Sequence, residues 1–331
     1  VSTAATAKGA RPRTWPWVLV LSGFATGLLG LLPWLLTGAR LPLQNLWDTE
    51  IRPGDMPLVL LPFSQYALTL LPGMLVWGSA LAGCVVRLHP VHARLRGAMV
   101  ATLGFLAVAV IATSQTALVV HGGLRADDPR TDRYFVAVLS VIVASVVVGI
   151  VVLALLACGR RPSASIAATV AALAGGIWLD ALIATPFGGA PSTLQVELLS
   201  YSRWLPALFV GAVLVWCGVG GLGNAVAWAV SPVLLWVLPA GFTAVNYAAG
   251  SRVLAGDLEE MRDAALDVFR SALGPAGPSL EYAGVALGLG VLGTVIRACH
   301  ARRRASSNGA SDTTPAQRAP LPDRAVPRSK A

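Results

Sequence analysis

Few residues in this 331-residue chain have a type and a position that chemistry can use. The first is Asp180, in the stretch GGIWLDALIATPF (Gly175–Phe187), where a carboxylate interrupts an otherwise apolar run. Counting back by fours gives Gly176, Ala172 and Ala168, a small-residue stripe of the kind that lets another helix approach closely. Asp180 is therefore expected to face other helices and not lipid. Polar groups recur at a similar depth in neighbouring apolar runs: Gln115 with Ser114 and Thr116, Gln65 with Tyr66, Asn246 with Tyr247, and Arg203 and Glu281 at run ends.

An ionisable side chain at the centre of a membrane helix costs about 2.5–3.5 kcal/mol, less near the interface, and persists where it pairs or binds something. Two readings fit. In one, Asp180, Gln115, Gln65, Tyr66, Asn246, Arg203 and Glu281 are ligand-binding candidates around a cavity for a polar or cationic solute, with Asp180 as its anionic contact. In the other, Asp180 pairs with Arg203 or accepts hydrogen bonds from Gln115 and Asn246, and so locks helices together.

Patterns for covalent or metal chemistry are missing. There is no GxxxxGK[ST] phosphate loop, HExxH zinc pair or GxSxG elbow. His89 and His92 are separated by Pro90 in a short basic loop and read as solvated. Cys84, Cys158, Cys217 and Cys299 contain no CxxC pair. No catalytic residue, metal ligand or cofactor is assigned.

The elements that must position these residues follow from composition. Hydrophobic residues make up 55% of the chain and charged residues 12%, against about 25% charged in soluble domains. The apolar residues fall in long blocks, which predicts an all-α integral membrane protein with about eight crossings. The expected spans are 16–36, 66–86, 98–120, 134–157, 164–185, 204–222, 228–247 and 280–298. Only helices suit them, because in hydrocarbon every backbone N–H and C=O must be paired within its own segment. The first apolar run is longer than a signal-peptide core and is expected to stay as a span.

Charge sets the expected orientation. With both termini in the cytoplasm, 16 of the 25 cations lie inside and 9 outside, and the inner loops are shorter. The four cysteines then fall at the inner side, where thiols stay reduced. The net charge of +9 is thus a membrane-orientation signal and does not point to nucleic acid. Scarce Lys with abundant Ala and Gly suggests a GC-rich bacterial genome, and so a multi-pass protein of a bacterial cytoplasmic membrane.

Outside the spans, residues 1–15 form a short basic segment. The loop 37–65, with four prolines, either folds over the bundle mouth or is a solvated connector. Residues 257–273 predict an extracytoplasmic amphipathic helix, capped by Asp257 with Glu260 three residues on, lying along the outer surface and packing on the bundle or docking a membrane or extracytoplasmic protein. Residues 301–331 read as a disordered tail. Pro232 and Pro239 are expected to interrupt the seventh span. The pairs Gly23/Gly27 and Gly284/Gly288 predict close helix contacts within the bundle or between copies.

The functional expectation is permease-like: transport of a small solute, or the membrane subunit of a transport system. A scaffold working through 257–273 and a membrane enzyme acting on a lipid-linked substrate are the alternatives. All three share one topology. Reporters fused to the two ends are expected to answer from the cytoplasm; a signal from the exterior at either end contradicts it.

Overall fold

The computed structural model describes residues 16–184, 187, 189–251, 258–274 and 277–311. These form α1 (Pro16–Leu36), α2 (Leu70–Arg87), α3 (Arg94–Gly123), α4 (Pro129–Cys158), α5 (Arg161–Ile183), α6 (Thr193–Ser202), α7 (Leu205–Cys217), α8 (Leu222–Gly250), α9 (Leu258–Leu273) and α10 (Pro278–Ser311). Among the described residues, eight stretches are long and apolar enough to cross a membrane, with α6 and α7 together supplying one of them, Thr193–Cys217. Strands are absent among the described residues, which contain two isolated bridges, Arg40 to Leu58 and Trp47 to Leu124. The N-terminal basic segment, the expected Asp257 cap and residues 312–331 lie outside the described residues.

Local chemistry sets the helix ends. Asp128 caps α4 by accepting from the Arg130 backbone N–H at 2.9 Å, and Pro129 fills the first helical position. The hydrogen bonds from Arg130 hold the Asp128 carboxyl below its ordinary range. Ser192 and Gln195 form a reciprocal capping box at the start of α6. The sixth apolar run stops at Cys217, short of the expected Leu222, because Gly218, Gly220 and Gly221 all take positive φ. α8 runs unbroken through Pro232 and Pro239, so the expected interruption there does not occur. α10 continues helically to Ser311, past the expected start of the disordered tail at 301; the ARRR segment there is made of good helix formers.

α5 joins two groups of helices. It packs on α2 and α4 on one side and on α7 and α8 on the other, while α10 lies against α7 and α8. The first group is drawn together through glycine. A Cβ at Gly30 would sit 2.5 Å from the Met74 carbonyl oxygen, and one at Gly78 would sit 2.8 Å from that of Thr26. Gly23 is likewise closed by the Ala101 carbonyl and Gly27 by Val108, as the spacing predicts. Gly284 and Gly288 share that spacing but have nothing within 4 Å.

Residues 37–69 fold over one end of the bundle as a cap. Leu41, Met56, Val59, Leu61 and Phe63 are buried there, and Trp34 of α1 donates its indole N–H to the Val59 carbonyl at 2.8 Å. Gln115 grips the cap at two points: its amide donates to Leu58 O at 2.9 Å, and its Oε1 accepts from Leu60 N at 3.0 Å. Thr116 Oγ1 accepts from Leu61 N at 3.0 Å. Gln44 donates to Pro42 O and Phe63 O and accepts from the Tyr134 hydroxyl at 2.6 Å. Of the two expectations for this loop, the folded cap is what forms.

The opposite end is an arginine face. Arg87 donates to the carbonyls of Leu156 and Gly159 at the end of α4, with its guanidinium 5.0 Å from the Trp216 ring centroid. Arg297 donates to Val215 O near the end of α7. These cations satisfy carbonyls that the helix ends leave open.

α9 doubles back along α8, the bundle-packing placement of the two expected for it. Gly241 faces the Phe269 ring, and the Trp236 indole donates to Leu273 O at 3.2 Å, satisfying a terminal carbonyl deep beside α8. Its apolar stripe is thereby committed to α8, and the pairs Arg262–Asp263 and Arg270–Asp267 stay exposed. Replacing Gly78 with Ala is expected to cost roughly 1–3 kcal/mol by overpacking, while Gly284→Ala leaves stability unchanged. Thermal denaturation of the two purified variants checks this, and equal midpoints would contradict the glycine-mediated contact.

Candidate functional site

The sequence places a proline, Pro206, inside the sixth apolar stretch, Thr193–Cys217. Proline has no N–H, so the Ser202 carbonyl loses its helical donor. The run breaks there: α6 ends at Ser202, α7 begins at Leu205, and the Trp204 N–H bonds to Tyr201 O at 3.1 Å in a tighter turn. Gly176 on α5 makes room for the break, since a Cβ there would lie 2.8 Å from Pro206 Cγ. Ala168 and Ala172 are buried, so the small-residue stripe faces the bundle as expected.

At this break the Ser202 hydroxyl donates to Asp180 Oδ1 at 2.6 Å. Asp180 is half-buried and Ser202 is buried. Both line a cavity of ≈ 280 Å³ between α5, the α6–α7 break, α8 and the start of α10, together with Thr69, Gly176, Arg203, Pro206, Pro239, Asn246 and Tyr282. A wider cleft of ≈ 560 Å³ shares Thr69, Ile177 and Asp180 with it and extends past Tyr66, Ala184 and Phe187 toward the cap. Asp180 therefore stands where the two spaces meet.

The cavity wall is largely apolar, with a few acceptors set in it. The Asn246 amide donates to Thr69 Oγ1 at 3.1 Å, leaving its Oδ1 buried without a partner among the described residues. Such a group costs about 1–3 kcal/mol unless something donates to it. Pro206 and Pro239 each remove a helical donor, from the carbonyls of Ser202 and Leu235, both residues of the cavity lining. Arg203 is the cavity's cation. It is exposed, sits 5.5 Å from the Trp204 ring centroid, and makes no ion pair among the described residues.

The seven expected site residues thus separate. Asp180, Arg203 and Asn246 meet around the cavity. Gln115 is engaged by the cap. Gln65 borders a small hollow with Gln44, Asn45 and Tyr134, and Tyr66 lines both that hollow and the wider cleft. Glu281 is exposed in the first turn of α10, beside Tyr282. The expected locks on Asp180 are not those formed: its hydrogen bond comes from Ser202, not from Arg203, Gln115 or Asn246. Ser202 and Thr69 were not legible as site residues, although Pro206, four residues after Ser202, carried the signal of a freed carbonyl.

Comparison with family models, with curated proteins and with solved structures finds no match. The site's chemistry rests on its own geometry. Ser202→Ala removes a hydrogen bond to a carboxylate and is expected to cost about 1–3 kcal/mol, while Ser202→Thr keeps the hydroxyl and most of the stability. Chemical denaturation of both variants tests this; an alanine variant as stable as the parent contradicts the bond.

Proposed function

We propose that the chain is an integral membrane protein whose eight apolar stretches cross the bilayer. In this reading the arginine face lies in the cytoplasm and the cap outside, and the protein is permease-like, taking a small polar solute into the Asp180 cavity from the capped side. The observation that carries this is the convergence, on one cavity that meets a wider cleft, of a half-buried carboxylate with an Asn246 Oδ1 and an Arg203 that have no hydrogen-bond partner and no ion pair, respectively, among the described residues. Acceptors on one wall and a guanidinium on another suit a solute with both N–H donors and an anionic group. The broken sixth helix supports a transport role, because discontinuous helices present unpaired backbone to a solute where a continuous helix cannot.

The scaffold alternative gains no support from α9, whose apolar face already packs on α8. The test is a thermal-shift panel on the purified full chain with amino acids, phosphoethanolamine and glycine betaine, the last having no N–H. N–H-bearing zwitterions are expected to stabilise the parent protein. Asp180→Asn is expected to abolish that response while the protein stays folded and in the membrane. A parent protein indifferent to the whole panel, or an Asn variant responding like the parent, contradicts the proposal.

A further inference from the structure

The cavity that holds Asp180, Asn246 and Arg203 has a more apolar neighbour. A second space of ≈ 290 Å³ shares Leu173, Ile177 and Phe242 with it, and is otherwise walled mainly by hydrocarbon: Val76 of α2, Val141 and Val148 of α4, Val170 of α5 and Leu238 of α8. Ser145, the hydroxyl-bearing residue of this wall, donates to the Val141 carbonyl within its own helix. Ala144 and Val148 are exposed, so the groove opens sideways from the bundle, where the helices of a spanning protein meet acyl chains.

The two spaces are ordered along α5. From the cap side toward the arginine face come Asp180, Ile177, Leu173 and Val170: first the carboxylate, then the shared wall, then the apolar groove. Seven residues from Asp180 to Leu173 span about 10 Å of helix. This polar-then-apolar sequence, read inward from the capped end, is the order of head group and chain in a lipid of the capped-side leaflet. A water-soluble solute needs no such groove, and a chain that merely coats the protein needs no cavity holding Asp180, Asn246 and Arg203.

We infer that the occupant is an amphiphile: a phospholipid of the capped-side leaflet with an N–H-bearing head. Its phosphate pairs with Arg203, its ammonium donates to Asp180 Oδ2 and Asn246 Oδ1, and an acyl chain leaves past Phe242 into the groove between α4 and α8. This rests on the solute-binding reading of the cavity and names the class of solute. Phosphatidylethanolamine has the required donors. Phosphatidylcholine carries the same phosphate but a trimethylated nitrogen that cannot donate to either acceptor.

The experiment is a titration of the full chain in detergent, followed by native mass spectrometry. Its probes are dioleoylphosphatidylethanolamine, dioleoylphosphatidylcholine and soluble phosphoethanolamine. The parent protein is expected to bind one phosphatidylethanolamine about tenfold or more tightly than phosphatidylcholine, the scale of a lost hydrogen bond to a charged group. Ala144→Trp or Val148→Trp, each filling the groove and each required to elute as folded protein, is expected to lose the lipid and keep phosphoethanolamine. Asp180→Asn is expected to lose both. Equal binding of the two lipids, or lipid binding that survives both groove-filling variants, overturns the amphiphile. If phosphoethanolamine binds through Asp180 and neither lipid does, the inference fails while the solute site stands. If Asp180→Asn binds every probe like the parent, both fail.

Discussion

The structure around Asp180 depends on one missing hydrogen bond. Pro206 cannot donate to the Ser202 carbonyl, so the sixth apolar run breaks between Ser202 and Leu205. The break carries Ser202 to the carboxylate, where its hydroxyl donates at 2.6 Å, and it exposes Arg203 beside the same cavity. Gly176 is the matching concession on α5, because any larger residue would collide with the proline ring. A continuous sixth helix would pair its own carbonyls and give Asp180 no neighbour of this kind. The cavity is thus a consequence of backbone chemistry, and the side chains exploit it.

The ends of the bundle are built by opposite means. At the capped end, amides and hydroxyls of Gln115, Thr116, Gln44 and Tyr134 bond a loop that buries Met56, Leu61 and Phe63. At the other end, Arg87 and Arg297 neutralise helix carbonyls directly. A cleft lined by Tyr66 and Phe187, beside the hydrogen-bonded cap, also reaches Asp180. The arginines contribute to helix-end pairing as well as to the charge asymmetry that orientation rules count.

Much of this was legible in the sequence, for identifiable reasons. Long apolar runs admit only helices in hydrocarbon, so eight stretches stood out. Asp180 stood out because a carboxylate is conspicuous among Leu, Ile and Trp, and its small-residue face gave its direction. Its partner did not: Ser202 is 22 positions away, and serine in a membrane helix carries no distinguishing mark. The partners of Gln115 were not legible, because they are the backbones of Leu58 and Leu60, and backbone has no sequence signature. Proline was informative but ambiguous. Pro232 and Pro239 lie inside a helix that continues, whereas Pro206 follows a break, in the first turn of α7. Identical glycine spacing likewise meant close contact at Gly23 and Gly27 and open space at Gly284 and Gly288, since spacing specifies a face and not what covers it.

The proposed function requires that this break open the Asp180 cavity to water on the capped side of a bundle that crosses the bilayer. Thr243 lines the cavity with an exposed side chain, and Val291 of α10 is an exposed apolar residue that does not line it. The most direct measurement places a single cysteine at each position, in a chain whose four native cysteines are replaced, and applies a membrane-impermeant maleimide to each side of sealed vesicles. The account predicts that Thr243→Cys reacts from the capped side alone and that Val291→Cys reacts from neither. Labelling of Thr243→Cys from the arginine side, or from neither side, would contradict it.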